Sequence, residues 1–134
     1  MNKKIIWLLV IVAGIAVSTI LVIPRTGPIP QVQVSDQTIQ NSQVTITTAD
    51  AIASSWLVIQ TETNGIPGPV IGYTKINKGI NKNVVVQIDA QKITTRLFAM
   101  IHEDSGEKGK FDFPENDMPL LYRGEMVSRL FFTR

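Results

Sequence analysis

The chain has 134 residues, enough for one domain and little more, and it contains no cysteine, which excludes disulfides, thiolate metal sites and cysteine nucleophiles. Its formal net charge is +2, but Lys3, Lys4 and Arg25 flank one apolar run, and beyond Arg25 there are ten basic and eleven acidic residues. This nearly neutral remainder argues against a nucleic-acid partner, because such a partner is bound by a concentrated basic stripe.

The first predicted element is the apolar run of residues 5–23, which carries no charge and ends before Pro24 and Arg25. A helix of this length is roughly 28 Å long, close to the ~30 Å hydrocarbon thickness of a bilayer. We therefore predict a transmembrane helix, an uncleaved signal anchor, over residues 1–24. Since Lys3 and Lys4 precede the run and only Arg25 follows it, the N-terminus is predicted to be cytoplasmic and the remainder to lie outside.

A cleaved secretory signal is the alternative for this run. Gly14-Ile15-Ala16 has the small-x-small form of a cleavage site, but a cut there would leave the apolar tail VSTILVIP exposed, so retention is preferred. In a retained helix, Gly14 and Ser18 are small residues that allow close contact with neighbouring helices, and Trp7 is an interfacial anchor. These three residues are partner-contact candidates, with the lipid bilayer and other membrane protein subunits as partners.

The rest of the chain is predicted to form a short stalk and a β domain. Residues 25–31 are proline-rich and predict a stiff stalk. Alternating or β-branched residues then predict strands at 31–34, 44–47, 55–62, 84–88, 94–102 and 125–133. Turn signals lie at 64–69, 77–83 and 104–109. The fold class is therefore mainly β, and residues 32–134 are expected to form an extracytoplasmic, immunoglobulin-like antiparallel β-sandwich.

Three stretches carry a resemblance to a known family: SWLVIQTETNGIPGPVIGYT, NVVVQIDA and LFAMIHEDSGEKGKFDFP. They resemble a domain family of unknown function that recurs in prokaryotic secreted and membrane-anchored surface proteins. Its pattern is a tryptophan-centred strand, a D/N-G-x-P-G-P turn with G-Y, and later L-x-A-M-x-H followed by F-P. The matching positions here are Trp56, Asn64 to Tyr73, and Leu97 to Pro114. The resemblance implies a small extracytoplasmic β domain and supplies no activity.

This sequence departs from the family pattern at two places. Gln60 stands where the family often has a histidine, and Glu115 to Pro119 replace the glycine-rich stretch that usually follows F-P. If two family histidines formed a shared site, this chain would lack one of them, which argues against a metal role.

The stretch IHEDSGEKGKFDFP contains the only histidine and four of the eleven acidic residues of the chain. Carboxylates and carbonyls in a glycine-bearing loop are ligands that calcium prefers. A calcium site would use His102, Glu103, Asp104, Glu107 and Asp112. Their spacing does not follow the twelve-residue helix-loop-helix pattern, and two lysines lie among them. The preferred interpretation is a turn whose amides are bound by Asp104, preceded by His102 at a half-buried strand end, without metal or other cofactor.

Motifs of catalysis are missing from the sequence. The chain has one histidine, no cysteine, and none of the motifs G-x-S-x-G, phosphate loop or H-E-x-x-H. Nucleophilic, metallo-hydrolytic and phosphoryl-transfer mechanisms therefore each lack a residue or motif that they require. The His2Cys ligand set of a blue-copper electron carrier is also absent. We expect no enzyme and no small-molecule substrate.

The predicted function is a non-catalytic, single-span accessory subunit that places a β-sandwich on the outer face of a larger membrane protein complex. The alternative is a membrane-anchored cell-surface binding or adhesion module. Its partner-contact candidates are Asn64, Ile66, Pro67 and Tyr73, in or next to the predicted turn. A pilin-like filament subunit is a further possibility, although no processing site precedes the helix and Pro24 ends it at membrane length.

Overall fold

A computed structural model describes residues 27–134 of the protein; the predicted transmembrane helix, with Trp7, Gly14 and Ser18, lies outside the described residues. The described chain is mainly β. Its strands are β1 (Gln31–Gln33), β2 (Gln43–Ala51), β3 (Ser55–Thr63), β4 (Ile66–Ile76), β5 (Gly79–Gln87), β6 (Arg96–Glu103), β7 (Leu121–Tyr122), β8 (Glu125–Met126) and β9 (Ser128–Phe132). Within residues 27–134 the one helical segment is a short 3-10 turn, Ala90–Lys92, and none is long and apolar enough to cross a bilayer.

Two antiparallel sheets enclose one apolar core. The first has the order β1-β2-β5 and the second β4-β3-β6-β9, while β7 and β8 form a small hairpin. Val44 and Ile46 of the first sheet and Leu57, Ile59 and Ile101 of the second are fully buried in the same core. The domain is therefore β-sandwich-like, in agreement with the predicted mainly β fold.

The two sheets are covered differently, as the burial of β2 and β3 shows. In the first half of β2, Val44 and Ile46 are buried and Thr45 is exposed, which is the alternation expected of a strand with one face in a core. In β3 every residue from Ser55 to Glu62 is buried. The four-stranded sheet is therefore covered on both faces, once by the other sheet and once by the chain segment that follows β6.

Two of the predicted turns are shorter than expected. At 64–69 only Asn64 and Gly65 form the turn, with φ angles of 53° and 79° that suit a two-residue hairpin. Pro67 and Pro69 lie within β4, which the sequence did not predict. They are tolerated there because β4 is an edge strand and proline lacks only an N–H. The turn predicted at 77–83 ends before Gly79, where β5 begins.

Candidate functional site

The outer face of the four-stranded sheet, which points away from the sandwich core, is covered by residues 104–119, here called the covering loop. Paired across β3 and β6 on this face are Trp56 with His102, Val58 with Met100, and Gln60 with Phe98. The loop contributes Phe111, whose ring centroid is 5.6 Å from that of Trp56, and Phe113, 4.9 Å from that of His102. We call this second buried region the outer layer. Trp56 is buried in this layer and not between the two sheets.

Asp117 holds the covering loop in place. Its side chain is fully buried, with Oδ1 accepting the N–H groups of Ser105 at 2.9 Å and Gly106 at 3.1 Å and Oδ2 accepting that of Asp112 at 2.8 Å. Burial by itself would raise the pKa of Asp117, but these three hydrogen bonds and the nearby His102 lower that pKa below its ordinary value. One carboxylate therefore satisfies amides at the start and in the middle of the loop.

Asp104 is the second anchor, where the loop leaves β6. Its buried carboxylate accepts a hydrogen bond from Lys75 Nζ at 3.1 Å and the N–H of Gly109 at 3.2 Å, and Lys108 Nζ donates to its main-chain carbonyl. Burial raises the pKa of Asp104, but the hydrogen bonds of Lys75 and Gly109 and the charges of Lys75 and Lys108 outweigh it, so the pKa lies below its ordinary value. Lys75 also lies 5.4 Å from the ring centroid of Trp56, which links β4 to the outer layer.

His102 is fully buried, so the prediction of a half-buried strand end is wrong. Its Nδ1 lies 2.8 Å from the carbonyl oxygen of Asp117. Because a carbonyl only accepts, Nδ1 carries the hydrogen, and the neutral ring has its lone pair on Nε2. That Nε2 is buried without a hydrogen-bond partner among the described residues. Burial lowers the pKa of His102 below 6.5, and the Asp117 carbonyl and carboxylate only partly oppose this.

The side chains considered as calcium ligands are not brought together. Glu107 is exposed and pairs with Lys110 at 3.4 Å, while Asp112 accepts a hydrogen bond from the side-chain amide of Asn116. Glu103 accepts one from the Ser105 hydroxyl at 3.2 Å. Within residues 27–134, no three His, Asp or Glu side chains are grouped as a metal site would require. Asp104 is likewise occupied by Lys75 and Gly109, so each of these carboxylates pairs with a group of the protein itself.

The partner-contact candidates of the β3–β4 hairpin are largely accessible. Ile66 is 65% and Tyr73 50% exposed, Asn64 is exposed and Pro67 is half-buried. The ring of Tyr73 lies 4.2 Å from that of Phe111, centroid to centroid, so it shields the outer layer while keeping one side in solvent. This hairpin therefore presents an apolar surface beside the covering loop.

A cavity of about 280 Å³ opens between this hairpin and the end of the covering loop. Its lining includes Gln60, Met100, Phe113, Ile66, Met118 and Met126. Met118 and Met126 are 48% and 44% exposed and Met100 is fully buried, so the cavity leads from the surface to the outer layer. Gln60 Nε2 donates to the Gly68 carbonyl at 2.9 Å, and Gln60 Oε1 is buried without a partner in the described part of the chain.

A family model of a domain of unknown function, DUF7282, matches residues 30–133. The chain belongs to this family. The match begins just before β1 and ends just after β9, so the DUF7282 domain corresponds to the β-sandwich-like unit, consistent with the resemblance to an uncharacterised β-domain family. No curated protein and no solved structure matches the chain.

Sequence reasoning missed the central residue of the DUF7282 domain's covering loop. The stretch from Glu115 to Pro119 was noted only as a departure from the family pattern, whereas Asp117 within it is fully buried. No local pattern marks Asp117, because the amides that its carboxylate accepts from belong to Ser105, Gly106 and Asp112, which lie 12, 11 and 5 residues earlier in the chain.

The stability of the DUF7282 domain is expected to fall in two stages as the pH is lowered. Below about pH 6.5 the unfolded chain binds a proton at His102 that the folded domain resists, so the free energy of unfolding decreases by up to about 1.4 kcal/mol per pH unit. The lowered pKa values of Asp104 and Asp117 add a second decrease below about pH 3.8. Urea unfolding between pH 3 and 8 measures both stages. His102→Gln should abolish the first, and a wild-type curve flat from pH 8 to 5 would contradict this expectation.

Proposed function

We propose that this protein is a non-catalytic, single-span accessory subunit whose DUF7282 domain, an immunoglobulin-like sandwich, stands on the outer face of a larger membrane protein complex. The observation that carries the proposal is the charge-free run of residues 5–23, whose length matches one crossing of a bilayer. Lys3 and Lys4 before the run favour a cytoplasmic N-terminus and an external domain.

The short connection between the run and the domain supports this proposal. β1 begins at Gln31, seven residues after Pro24, and even a fully extended chain of that length spans at most about 25 Å. Gly27, Pro28 and Ile29 are exposed and belong to no strand. A domain on so short a connection remains near the bilayer surface, within reach of neighbouring subunits.

The surface where the start of the domain meets the β7–β8 hairpin offers a contact for such a subunit. A cleft of about 230 Å³ there has a mixed lining, which includes Pro30, Tyr122 and Met126 and the polar Gln31, Glu125, Ser128 and Arg129. Ile29, which precedes Pro30 in the chain, is 56% exposed, and Leu121, which precedes Tyr122, is 60% exposed. Exposed apolar side chains beside a cleft of mixed polarity are consistent with a protein interface.

The membrane assignment is tested by labelling intact cells, because the chain contains no cysteine and single cysteines can be introduced freely. A membrane-impermeant maleimide should label Asn64→Cys, which is exposed in the domain, but not Asn2→Cys until the cells are permeabilised. The protein should also stay with the membranes during an alkaline wash. Release by the wash, or equal labelling at both positions in intact cells, would overturn the proposal.

The subunit role is tested by placing a photocrosslinking amino acid at Leu121. A matched control is Ile80, which is 65% exposed on β5 and distant in sequence from the β7–β8 hairpin. We expect one defined crosslinked partner from position 121, none from position 80, and co-migration with that partner after extraction in mild detergent. A monodisperse monomer without crosslinks would contradict the accessory role.

A cell-surface binding module is the second candidate, and the exposed Ile66 beside the 280 Å³ cavity favours it. In that case the full-length protein in detergent should bind an external glycan or protein, and Ile66→Ser should weaken the binding. If Ile66→Ser binds as strongly as the wild type, the contact does not lie on this hairpin.

A further inference from the structure

An uncharged apolar surface surrounds the cavity beside the β3–β4 hairpin. Among the described residues that line this cavity, none is charged and only Gln60 has a polar side chain. Ile66, Met118 and Met126 belong to this lining and are 65%, 48% and 44% exposed, and we call these three residues the apolar rim. An exposed apolar patch of this kind marks a contact with another protein or with a membrane.

The apolar rim lies close to the point where the chain enters the domain. Met126 lines this cavity and also the cleft that contains Pro30 and Gln31, so the two openings adjoin at one side chain. The seven-residue connection from Pro24 to Gln31 holds this end of the domain within about 25 Å of the end of the predicted span. The rim is therefore on a part of the domain that can reach the bilayer surface.

The chemistry of the cavity favours lipid over a second protein. Gln60 Nε2 donates to the Gly68 carbonyl and Gln60 Oε1 is buried, so the described lining presents no accessible polar side chain. A protein partner is normally held by hydrogen bonds at a polar rim around such a patch. Acyl chains require no hydrogen bonds, because their contact with apolar side chains is driven by the removal of apolar surface from water.

We propose that the apolar rim docks on the outer surface of the bilayer, with Ile66, Met118 and Met126 inserted among the lipid acyl chains. The proposal rests on the proposed membrane anchor and adds that the domain itself lies against the lipid. Apolar protein faces that lie in the membrane interface are buried by about 5–10 Å at the boundary between headgroups and acyl chains. Asn64, which is polar and exposed at the turn before Ile66, then lies in the hydrated headgroup layer.

The proposal is tested with the full-length protein in phosphatidylcholine nanodiscs. Because the chain contains no cysteine, a fluorophore can be attached at Ile66→Cys or Met118→Cys alone. The matched controls are Ile80→Cys and Val85→Cys on β5 of the other sheet, since these positions are 65% and 49% exposed. Lipids that carry a spin label on the acyl chain next to the headgroup should cause a loss of emission at positions 66 and 118 and none at positions 80 and 85.

The unfavourable outcomes separate docking from anchoring. No loss of emission at positions 66 and 118, or an equal loss at all four positions, would overturn the proposal. Crosslinking of Met118→Cys between two copies of the chain, without loss of emission, would also overturn it by assigning the rim to a second copy. The alkaline wash tests the anchor separately, so a protein that resists the wash without losing emission keeps its proposed span but not the docked domain.

A second measurement requires no cysteine, so it remains decisive if a substitution disturbs the domain. The carbon-13-labelled methyl signals of isoleucine and methionine are followed by NMR in nanodiscs while a water-soluble gadolinium chelate is added. We expect Ile80 to lose its signal and Ile66 and Met118 to retain theirs, although Ile66 and Ile80 are equally exposed in the domain. An equal loss of signal from Ile66 and Ile80 would overturn the proposal.

Discussion

Replacing Asp117 with alanine is expected to lower the free energy of unfolding by about 3 kcal/mol or more, because the amides of Ser105, Gly106 and Asp112 lose their acceptor together. An unsatisfied buried group costs about 1–3 kcal/mol, and part of that cost is recovered where a loosened loop admits water. Urea unfolding measures the loss. The tryptophan emission should also shift to the red, since Phe111 no longer covers Trp56.

Two further variants separate this role from general effects of charge. Glu115→Ala removes an exposed acid two residues away and should change the free energy of unfolding by less than about 0.5 kcal/mol. Asp117→Asn should fall between wild type and Asp117→Ala, because its amide oxygen still accepts from Ser105 and Gly106 while its NH2 group faces the N–H of Asp112. Equal stability of Asp117→Ala and Glu115→Ala would show that Asp117 does not hold the covering loop.

Replacing Gly72 with alanine is expected to lower the free energy of unfolding by about 2–3 kcal/mol. Gly72 forms a bridge with Ile88, and an added Cβ would stand 2.7 Å from Ile88 Cγ2 and 3.1 Å from its Cα, and would also collide with the Gln87 carbonyl. These are mainly backbone contacts close to where the two sheets approach each other, so no rotation of a flexible side chain relieves them. Thermal and urea unfolding measure the effect.

Gly27→Ala is the control for this substitution, because a Cβ at Gly27 would meet nothing within 4 Å. It should leave the unfolding transition unchanged within about 0.5 kcal/mol. If Gly72→Ala unfolds at the same urea concentration as Gly27→Ala, the close approach at Ile88 is not what requires glycine at position 72.

Much of the sandwich could be predicted from local patterns, because a strand with one face in a core alternates in its own sequence. The predicted segments 44–47, 55–62, 84–88 and 94–102 overlap β2, β3, β5 and β6. β4 was missed because its prolines and glycines were taken as a turn, and only its place at the edge of a sheet makes them compatible with a strand. Strand order was not predictable, since it depends on pairing between distant segments.

The candidate site was predicted only in part. His102 was predicted at a half-buried strand end and Asp104 in a turn whose amides it binds. The full burial of His102 and the burial of Asp104 depend on the covering loop folding back over β3 and β6. Met118 and Met126 drew no attention, because isolated methionines carry no spacing that marks a site. The fold alone brings them and Met100 to the lining of one cavity.

The sequence by itself determined the mainly β character of residues 31–134, the family pattern, and the apolar run that motivates the membrane proposal. Each of these features depends only on residues that are close together in the chain. Only the tertiary structure decided that Asp117 is an internal anchor and that Gln60 of β3 and His102 of β6 share a buried face. The physical reason is that burial and the pairing of polar atoms depend on what covers a residue. Here the cover comes from a loop whose contacts lie far along the chain from β3.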